Sequence, residues 1–203
     1  MHPNPAFRAE PRDQNVAFAR SRGFGALAVS GGAGPLLSHV PFPMAADGSS
    51  ADLHLVRSNS IARLGDTPAV LAVTGPDGYV SPDWYGVPDQ VPTWNYVAVH
   101  LRGRLTRLPE ESLHDLLSRQ SAEYEARLAP KPPWTMDKMS PDVRDRMMRM
   151  ILPFRLWIDH IDGTWKLSQN KPDAARLGAA DKIGSTESGS EAQSLARLMQ
   201  RPS

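Results

Sequence analysis

The chain has 203 residues, of which 40% are hydrophobic and 22% are charged, and its formal net charge is +1. These values are typical of a globular protein with a sizeable core, and they lack the basic surplus expected of a dedicated DNA-binding protein. The sequence contains no apolar run long enough to cross a bilayer, no secretory signal at its amino terminus and no cysteine, so we expect a cytoplasmic protein.

The first third of the sequence predicts one helix followed by short strands. Asp13 is placed to cap a helix that runs to Gly23. Two apolar runs, at 24–30 and 35–42, flank a pair of turn glycines and therefore predict a β-hairpin. Residues 52–56 alternate apolar and polar side chains, which predicts a third strand.

The next segment changes from the strand pattern to the helix pattern. Asn59 is a favourable N-cap residue, and Gly65 can close the helix that follows it. A compact buried strand is then predicted at 69–73, and the sequence GPDG at 75–78 predicts a turn. Three aromatic residues surround a proline in the sequence YVSPDWY, at 79–85.

Residues 97–105 give the clearest strand signal in the chain. Apolar and polar side chains alternate strictly there, so one face of the strand should be buried. Just before this strand, Pro92 fixes its own φ angle and biases Val91 toward an extended conformation. Trp94 and Asn95 are thereby held at the mouth of the strand, and such a mouth suits a flat aromatic ligand.

Two helices are predicted after the central strand. Pro109 and the two acidic residues that follow it favour a helix start, and an apolar stripe continues at helical spacing through Leu113, Leu116, Leu117, Tyr124 and Leu128. A second helix is expected from Ser140 to about Met150, with candidate core contacts at Val143, Met147, Met148 and Met150. A strand at 153–161 and a turn at 162–164 precede the sequence WKLSQN.

The order of these elements predicts an α+β fold, with an antiparallel, barrel-like β core and helices at its edge. The alternation of strands and helices that indicates a doubly wound sheet is absent. We expect one domain at 1–173 and a flexible tail at 174–203. Within this tail, 183–190 look flexible and 195–199 can form a short terminal helix.

The junction at 57–59 combines the groups that bind phosphate in many proteins. Arg57 supplies a guanidinium, Ser58 and Asn59 supply polar side chains, and the predicted helix start supplies free N–H groups. The alternative is structural, with Asn59 only capping the helix and Arg57 lying in solvent or pairing with Asp66. Taken alone, the junction favours this structural alternative.

Motifs for several common activities are absent from the sequence. The six histidines lack the short spacings of metal sites and cysteine ligands are missing, so we expect no metal. The nucleophile elbow, the P-loop and the dinucleotide-binding fingerprint are also missing, and no helix-turn-helix is evident. Four aromatic residues either fill the core or line a ligand slot: Trp84, Tyr85, Trp94 and Tyr96.

Four motifs occur in an order and spacing that resemble one known family over roughly residues 5–173. They are HLVRSN at 54–59, YVSPDWY at 79–85, VPTWNYVAVHLRG at 91–103 and WKLSQN at 165–170. The chain resembles the PaiB-like family of FMN-binding negative transcriptional regulators, which are split β-barrel flavoproteins. It departs from that family after the first motif, where Ser60, Ile61 and Ala62 replace the usual proline and nearby tryptophan.

The resemblance implies an antiparallel split β-barrel with peripheral helices that binds FMN at a homodimer interface. The phosphate would be bound by Arg57, Ser58 and Asn59. The slot for the isoalloxazine would be lined by backbone groups and side chains of Tyr79, Val80, Ser81, Trp94 and Asn95. The last motif would close the pocket or bind the phosphate, from either subunit, through Lys166, Ser168 and Gln169.

Two functions compete. The first is an FMN-dependent redox protein, in which the flavin does the difficult chemical step, so the sequence need not reveal a catalytic acid or base and we assign none. The second is a negative transcriptional regulator without catalytic activity, in which flavin is sensory or absent and contact with DNA follows only from the family's name. A haem-binding split barrel is a third alternative, but it would require an axial ligand, and no histidine stands out for that role.

Overall fold

A computed structural model of the chain describes residues 2–186 and 189–202. These residues contain six β-strands: β1 (Phe24–Gly31), β2 (Gly34–Pro41), β3 (Ser50–Val56), β4 (Thr67–Val80), β5 (Thr93–Arg107) and β6 (Ile151–Lys166). They also contain five α-helices: α1 (Arg12–Arg22), α2 (Leu113–Ala126), α3 (Pro141–Met148), α4 (Asp173–Gly184) and α5 (Ala192–Gln200). No helix in this part of the chain is both long and apolar enough to span a membrane.

The strands form one antiparallel sheet in the order β2-β1-β4-β5-β6-β3. β1 and β2 pair along their whole length as the predicted hairpin, and β1 also pairs with β4 from Ala26↔Ala72 to Val29↔Ala69. The third predicted strand is confirmed as β3, which pairs with β6 from Ser50↔Trp157 to Val56↔Ile151. The first predicted helix is confirmed as α1.

Contacts divide the described residues into two compact units. Unit 1 contains the described residues of 1–18, 73–100 and 161–203, and unit 2 contains 19–72 and 101–160. β4, β5 and β6 contribute residues to both units. In unit 1, β5 buries Val97 and Val99, and in unit 2 it buries Leu101 and Leu105, as the strict alternation predicts.

The core of unit 1 combines strand residues with two carboxyl-terminal helices. Val80, Val97 and Trp165 pack with residues of α4 and α5 that include Ile183, Leu195 and Met199. The indole N–H of Trp165 donates to Asn15 Oδ1 at 2.8 Å, and the ring of Phe18 meets the Trp165 ring edge-on at 5.3 Å. The amino-terminal residues are thereby attached to the end of β6.

Two predicted turns are wrong, because β4 and β6 run straight through them. The GPDG sequence at 75–78 lies within β4, and the DGT sequence at 162–164 lies within β6. Their glycines serve close packing: a Cβ on Gly75 would lie 2.5 Å from the Phe18 ring, and a Cβ on Gly163 would lie 2.0 Å from Asn15 Oδ1. The Asp77 N–H also finds a backbone acceptor, the Ser190 carbonyl, at 3.0 Å.

The two helices predicted after β5 are present, but they bury fewer residues than expected. In α2, Leu113 and Leu116 are buried, while Leu128 lies beyond the end of the helix and is exposed. None of the candidate core contacts around α3 is buried: Val143, Met147 and Met150 are exposed, and Met148 is half-buried. The three methionines instead line an open groove of about 370 Å³ in unit 2.

The stretch predicted to be a flexible tail contains α4 and α5. Ile183, Leu195 and Met199 are fully buried there, because their helices cover the strand residues of unit 1. The alanine-rich composition of α4 had suggested a loose segment, although small side chains also allow close packing. The predicted terminal helix at 195–199 is confirmed within α5. Residues 187 and 188, part of the stretch predicted to be flexible, lie outside the described residues.

A buried carboxylate organises the charges of unit 2. Asp52 is 4% exposed, and it accepts hydrogen bonds from Arg155 at 2.6 and 2.9 Å and from Arg119 at 3.0 Å. Burial alone would raise the pKa of Asp52, but the two guanidinium groups outweigh it and hold that pKa below its ordinary value. Arg119 also pairs with Asp115 at 2.8 Å.

We expect Asp52→Asn to lower the free energy of unfolding by roughly 1–3 kcal/mol at neutral pH, because it leaves two arginines without their shared anion. The carboxylate stabilises the fold above its unfolded pKa of about 3.9, and this contribution is lost as the pH falls below that value. Urea unfolding at about pH 7 and about pH 3 should therefore show a gap between wild type and variant that narrows in acid. If the difference in stability between wild type and variant were the same at both pH values, the electrostatic explanation would be contradicted. Asp115→Asn, at an exposed carboxylate, is the control.

We expect Gly103→Ala to destabilise unit 2 by roughly 2–4 kcal/mol, because the added Cβ would lie 1.7 Å from the Trp157 carbonyl oxygen and force β5 away from β6. Gly32→Ala is the matched control, since a Cβ there meets nothing within 4 Å. Thermal unfolding of both variants measures the difference. Equal stability of the two variants would show that the backbones at Gly103 are not in close contact.

Candidate functional site

Arg57 follows β3 and is held by two other segments of unit 2. Its Nε donates to the Arg149 carbonyl at 2.6 Å, and its terminal nitrogens contact the Glu110 carboxylate. Arg107 bonds to the same carboxylate at 2.5 Å, so two cations share one anion and the group keeps a positive charge. The hydrogen bond from Arg57 is the main reason that the pKa of Glu110 lies below its ordinary value.

The contacts of Arg57 leave part of its guanidinium available. An arginine side chain carries five N–H donors, and those directed at Arg149 and Glu110 account for three hydrogen bonds. The remaining donors can bind a further anion. The acidic partner of Arg57 is Glu110. The structural alternative had predicted a pair with Asp66 instead.

Asn59 caps the turn that follows it, and this weakens its predicted role as a phosphate ligand. Its Oδ1 accepts the Ile61 N–H at 2.9 Å, and its Nδ2 donates to Ser38 Oγ at 3.1 Å, so both ends of the amide are in use. The predicted helix from Asn59 to Gly65 is wrong, since only one 3-10 turn forms, at Ile61–Arg63. A turn of this length lacks a useful dipole, so an anion at 57–59 would depend on Arg57 and Ser58.

A hydrogen-bonded cluster in unit 1 joins two of the predicted site residues. Ser168 Oγ lies 2.8 Å from Asn95 Nδ2 and 2.8 Å from the Tyr85 hydroxyl. All three residues are buried, and burial raises the pKa of Tyr85. Ser168 has a φ angle of 62°, a left-handed conformation that residues other than glycine rarely adopt. The cluster therefore fixes an unusual backbone conformation at the end of β6.

The carboxyl-terminal helix closes this cluster from solvent. Asn95 is fully buried, and its Nδ2 contacts the sulfur of Met199 in α5 at 3.3 Å. A thioether is a weak acceptor, and Asn95 Oδ1 is buried without a hydrogen-bond partner among the described residues. With α5 in this position, Asn95 and Ser168 are too deep to contact a ligand.

Accessible aromatic surface lies beside the cluster. The Tyr79 ring meets the rings of Trp84 and Trp94 edge-on, with centroids 6.5 and 6.4 Å apart. Trp94 is 51% exposed, whereas Val80 is fully buried and Ser81 is half-buried. Trp94 and Tyr79 are therefore the residues of the predicted isoalloxazine slot that offer ring surface to a ligand.

The KLSQN segment has one cationic and one structural member. Lys166 Nζ contacts Thr93 Oγ1, and burial, followed by the positive charge of Lys171, lowers the pKa of Lys166. Gln169 folds back on its own segment, donating to the Trp165 carbonyl at 2.6 Å and accepting the Leu167 N–H at 2.8 Å. Gln169 therefore shapes the segment, while Lys166 is available for a ligand.

The predicted site residues divide between the two units. Arg57, Ser58 and Asn59 belong to unit 2, and the remaining predicted residues belong to unit 1. Sequence reasoning missed two contact partners, the exposed Glu110 and the buried Met199, because each is distant in sequence from the residue it contacts. A signal for Lys171 was present, since it directly follows the KLSQN motif.

Comparisons with known proteins match most of the chain. Residues 1–160 match the model of a family described as "Putative FMN-binding domain". The chain is 27% identical over 198 residues to the protease synthase and sporulation protein PAI 2 of Bacillus subtilis (strain 168), with 96% of this chain and 94% of that relative covered.

Solved structures resemble the chain at lower identity. A FAD and heme binding protein from Mycobacterium smegmatis has a TM-score of 0.56 at 16% identity, covering 79% of this chain and 73% of that one. The conserved hypothetical protein Rv2991 from Mycobacterium tuberculosis has a TM-score of 0.57 at 17% identity, covering 82% of this chain and 92% of that one. The predicted fold class, an α+β antiparallel split β-barrel with peripheral helices, is confirmed.

We expect Ser168→Ala to cost roughly 1–3 kcal/mol of unfolding free energy, because Asn95 and the Tyr85 hydroxyl then lose their shared partner inside the core. Tyr85→Phe, which removes one end of the cluster, should cost less. Ser185→Ala is the control, since that exposed hydroxyl donates only to the Lys182 carbonyl, at 2.9 Å. Urea unfolding of the three variants ranks these costs, and a Ser168→Ala variant as stable as Ser185→Ala would show that the cluster contributes little.

Proposed function

The chain belongs to the family of FMN-binding domains whose model spans residues 1–160, and we propose that this FMN-binding protein uses its cofactor to carry electrons. Bound FMN supplies one-electron and two-electron redox chemistry, and the protein supplies binding, orientation and electrostatics. The family match is the observation that carries the proposal. No side chain is assigned as a catalytic acid or base.

The residues at the end of β3 fit the phosphate of FMN. Arg57 retains N–H donors beyond those bound by Glu110, and it belongs to a group with a net positive charge. Ser58 is exposed and its hydroxyl can donate to the same anion. Asn59 would contribute indirectly, because its hydrogen bonds with the Ile61 N–H and with Ser38 Oγ hold the backbone after β3 in position.

The aromatic residues of unit 1 fit the isoalloxazine. Trp94 and Tyr79 offer ring surface, and the backbone from Tyr79 to Ser81 offers hydrogen-bonding groups. Asn95, Ser168 and Gln169 would contribute without touching the cofactor. Their hydrogen bonds would hold the backbone at the start of β5 and at the end of β6 in position. Lys166 would supply a positive charge near this region.

We infer that two copies of the chain associate in the cytoplasm. The described residues expose several large apolar side chains that a second copy could cover: Leu37, Val56, Val91, Trp94, Met147 and Met150. FMN bound at such an interface is what the resemblance of the sequence motifs implies. Light scattering coupled to gel filtration should give twice the chain mass of 22.3 kDa. A single-chain mass at micromolar concentration would contradict the dimer.

The second candidate function is regulation of gene expression. The sequence motifs resemble a family of negative transcriptional regulators, and the Bacillus subtilis relative is named for protease synthase and sporulation. The net charge of +1 gives little electrostatic attraction to DNA. Salt-dependent binding of a defined promoter fragment by the pure protein would support direct repression, and absence of binding at low salt would count against it.

The visible absorption spectrum of the purified protein, with and without added FMN, tests the proposal. We expect flavin bands at one FMN per chain, and we expect Arg57→Gln to weaken FMN binding at least tenfold while riboflavin binding is unchanged, because only FMN carries the phosphate. Arg63→Gln is the control and should behave as wild type, because Arg63 is an exposed arginine in the turn that follows Arg57. A wild-type protein that never acquires stoichiometric flavin after reconstitution would overturn the proposal.

A further inference from the structure

Two lysines, one at the end of β6 and one shortly after it, face residues 90–93, where the chain enters β5. Lys166 Nζ contacts Thr93 Oγ1, and Lys171 Nζ contacts Gln90 Oε1. The Lys171 ammonium also lies 5.2 Å from the centroid of the Tyr85 ring. Both cations are therefore held by side chains of the segment 90–93, within unit 1.

The lysine pair is not neutralised by the part of unit 1 that the structure describes. Both ammonium groups contact neutral oxygen atoms, and no carboxylate among the described residues forms an ion pair with either of them. The pKa of Lys166 lies below its ordinary value because of burial and then because of the charge of Lys171. Two like charges in a partly desolvated position are unfavourable, and an anion placed between them would remove this cost.

The backbone around the pair is fixed in an uncommon conformation. Ser168 lies between the lysines with a φ angle of 62°, and Asp89, beside Gln90, has a φ angle of 58°. The Lys171 N–H donates to the Ser168 carbonyl at 2.9 Å, which turns the chain back after Lys166. Left-handed residues other than glycine are costly and concentrate at functional sites.

Neutral side chains of the segment 90–93 complete a set of donors. Thr93 accepts a hydrogen bond from Lys166, so its hydroxyl proton is free to donate to a ligand. Gln90 uses both ends of its amide, accepting from Lys171 and donating to the Pro88 carbonyl at 2.8 Å. Gln90 therefore positions Lys171, while Thr93 can contact the ligand directly.

We propose that Lys166, Lys171 and Thr93 form a phosphate-binding clamp that takes a phosphate monoester. The phosphate belongs either to a separate phosphorylated molecule or, as an alternative to the site at 57–59, to FMN, in which case the clamp rests on the proposed function. Two ammonium groups and one hydroxyl match the charge and the acceptor oxygens of such a group. Lys171, Thr93 and Gln90 lie outside the residues that the sequence motifs had assigned to the cofactor.

Flavin titrations of Lys166→Gln and Lys171→Gln test the clamp against a matched control. Lys182→Gln removes the same charge from an exposed position on α4 of the same unit. If the clamp holds the flavin's phosphate, each clamp variant should raise the Kd for FMN at least tenfold and leave the Kd for riboflavin within twofold of wild type. Circular dichroism melts establish that the variants are folded.

Inorganic pyrophosphate distinguishes the second source of phosphate. If a separate molecule occupies the clamp, pyrophosphate should raise the unfolding midpoint of wild type and of Lys182→Gln but not of Lys171→Gln, while FMN binding is the same in all of them. The clamp would be overturned by two results together. All variants would prefer FMN over riboflavin to the same extent, and pyrophosphate would raise the unfolding midpoint of all of them equally. A wild type that binds no flavin but is stabilised by pyrophosphate through Lys171 would overturn the FMN proposal and keep the clamp.

Discussion

The hydroxyl of Ser168 is the contact on which unit 1 depends. It joins the mouth of β5, through Asn95, to the turn that carries Tyr85, and it does so from a left-handed position just after β6. A buried polar group without a partner is costly, so removing this oxygen would leave two other groups unsatisfied. The backbone conformation of Ser168 also determines the positions of Lys166 and Lys171, since the two lysines lie on either side of it in sequence.

Much of the fold could be predicted from the sequence, because periodicity reports burial directly. The alternation in β5 and the paired apolar runs of β1 and β2 reflect the pleat of the sheet. Glycine was the misleading signal. Gly75 and Gly163 resemble turn residues, yet they are small because Phe18 and Asn15 lie against them, and such tertiary contacts leave no local pattern. The helix that begins at Asp173 was missed for a similar reason, since most of its apolar residues are alanines.

The candidate site was only partly predictable. The motifs identified Arg57, Asn95 and Lys166 as unusual positions, but not what each one contacts. Glu110 is 53 residues from Arg57, and Met199 is 104 residues from Asn95, so neither pairing could be read from local sequence. Asn95 and Gln169 proved to be occupied by structural contacts, whereas Lys166 and Trp94 remain available to a ligand.

The assembly of unit 1 from distant segments has a consequence for the order of events during synthesis. The hydrogen bond between Trp165 and Asn15 closes a loop of 150 residues, and every residue of unit 2 lies inside that loop. On the ribosome, the hydrogen bond between Asn15 and Trp165 can form only after the whole of unit 2 has been translated. Loop closure of this length carries an entropic cost that grows slowly with length. Unit 1 is therefore completed after unit 2 has left the ribosome, and until then its apolar residues are open to chaperones.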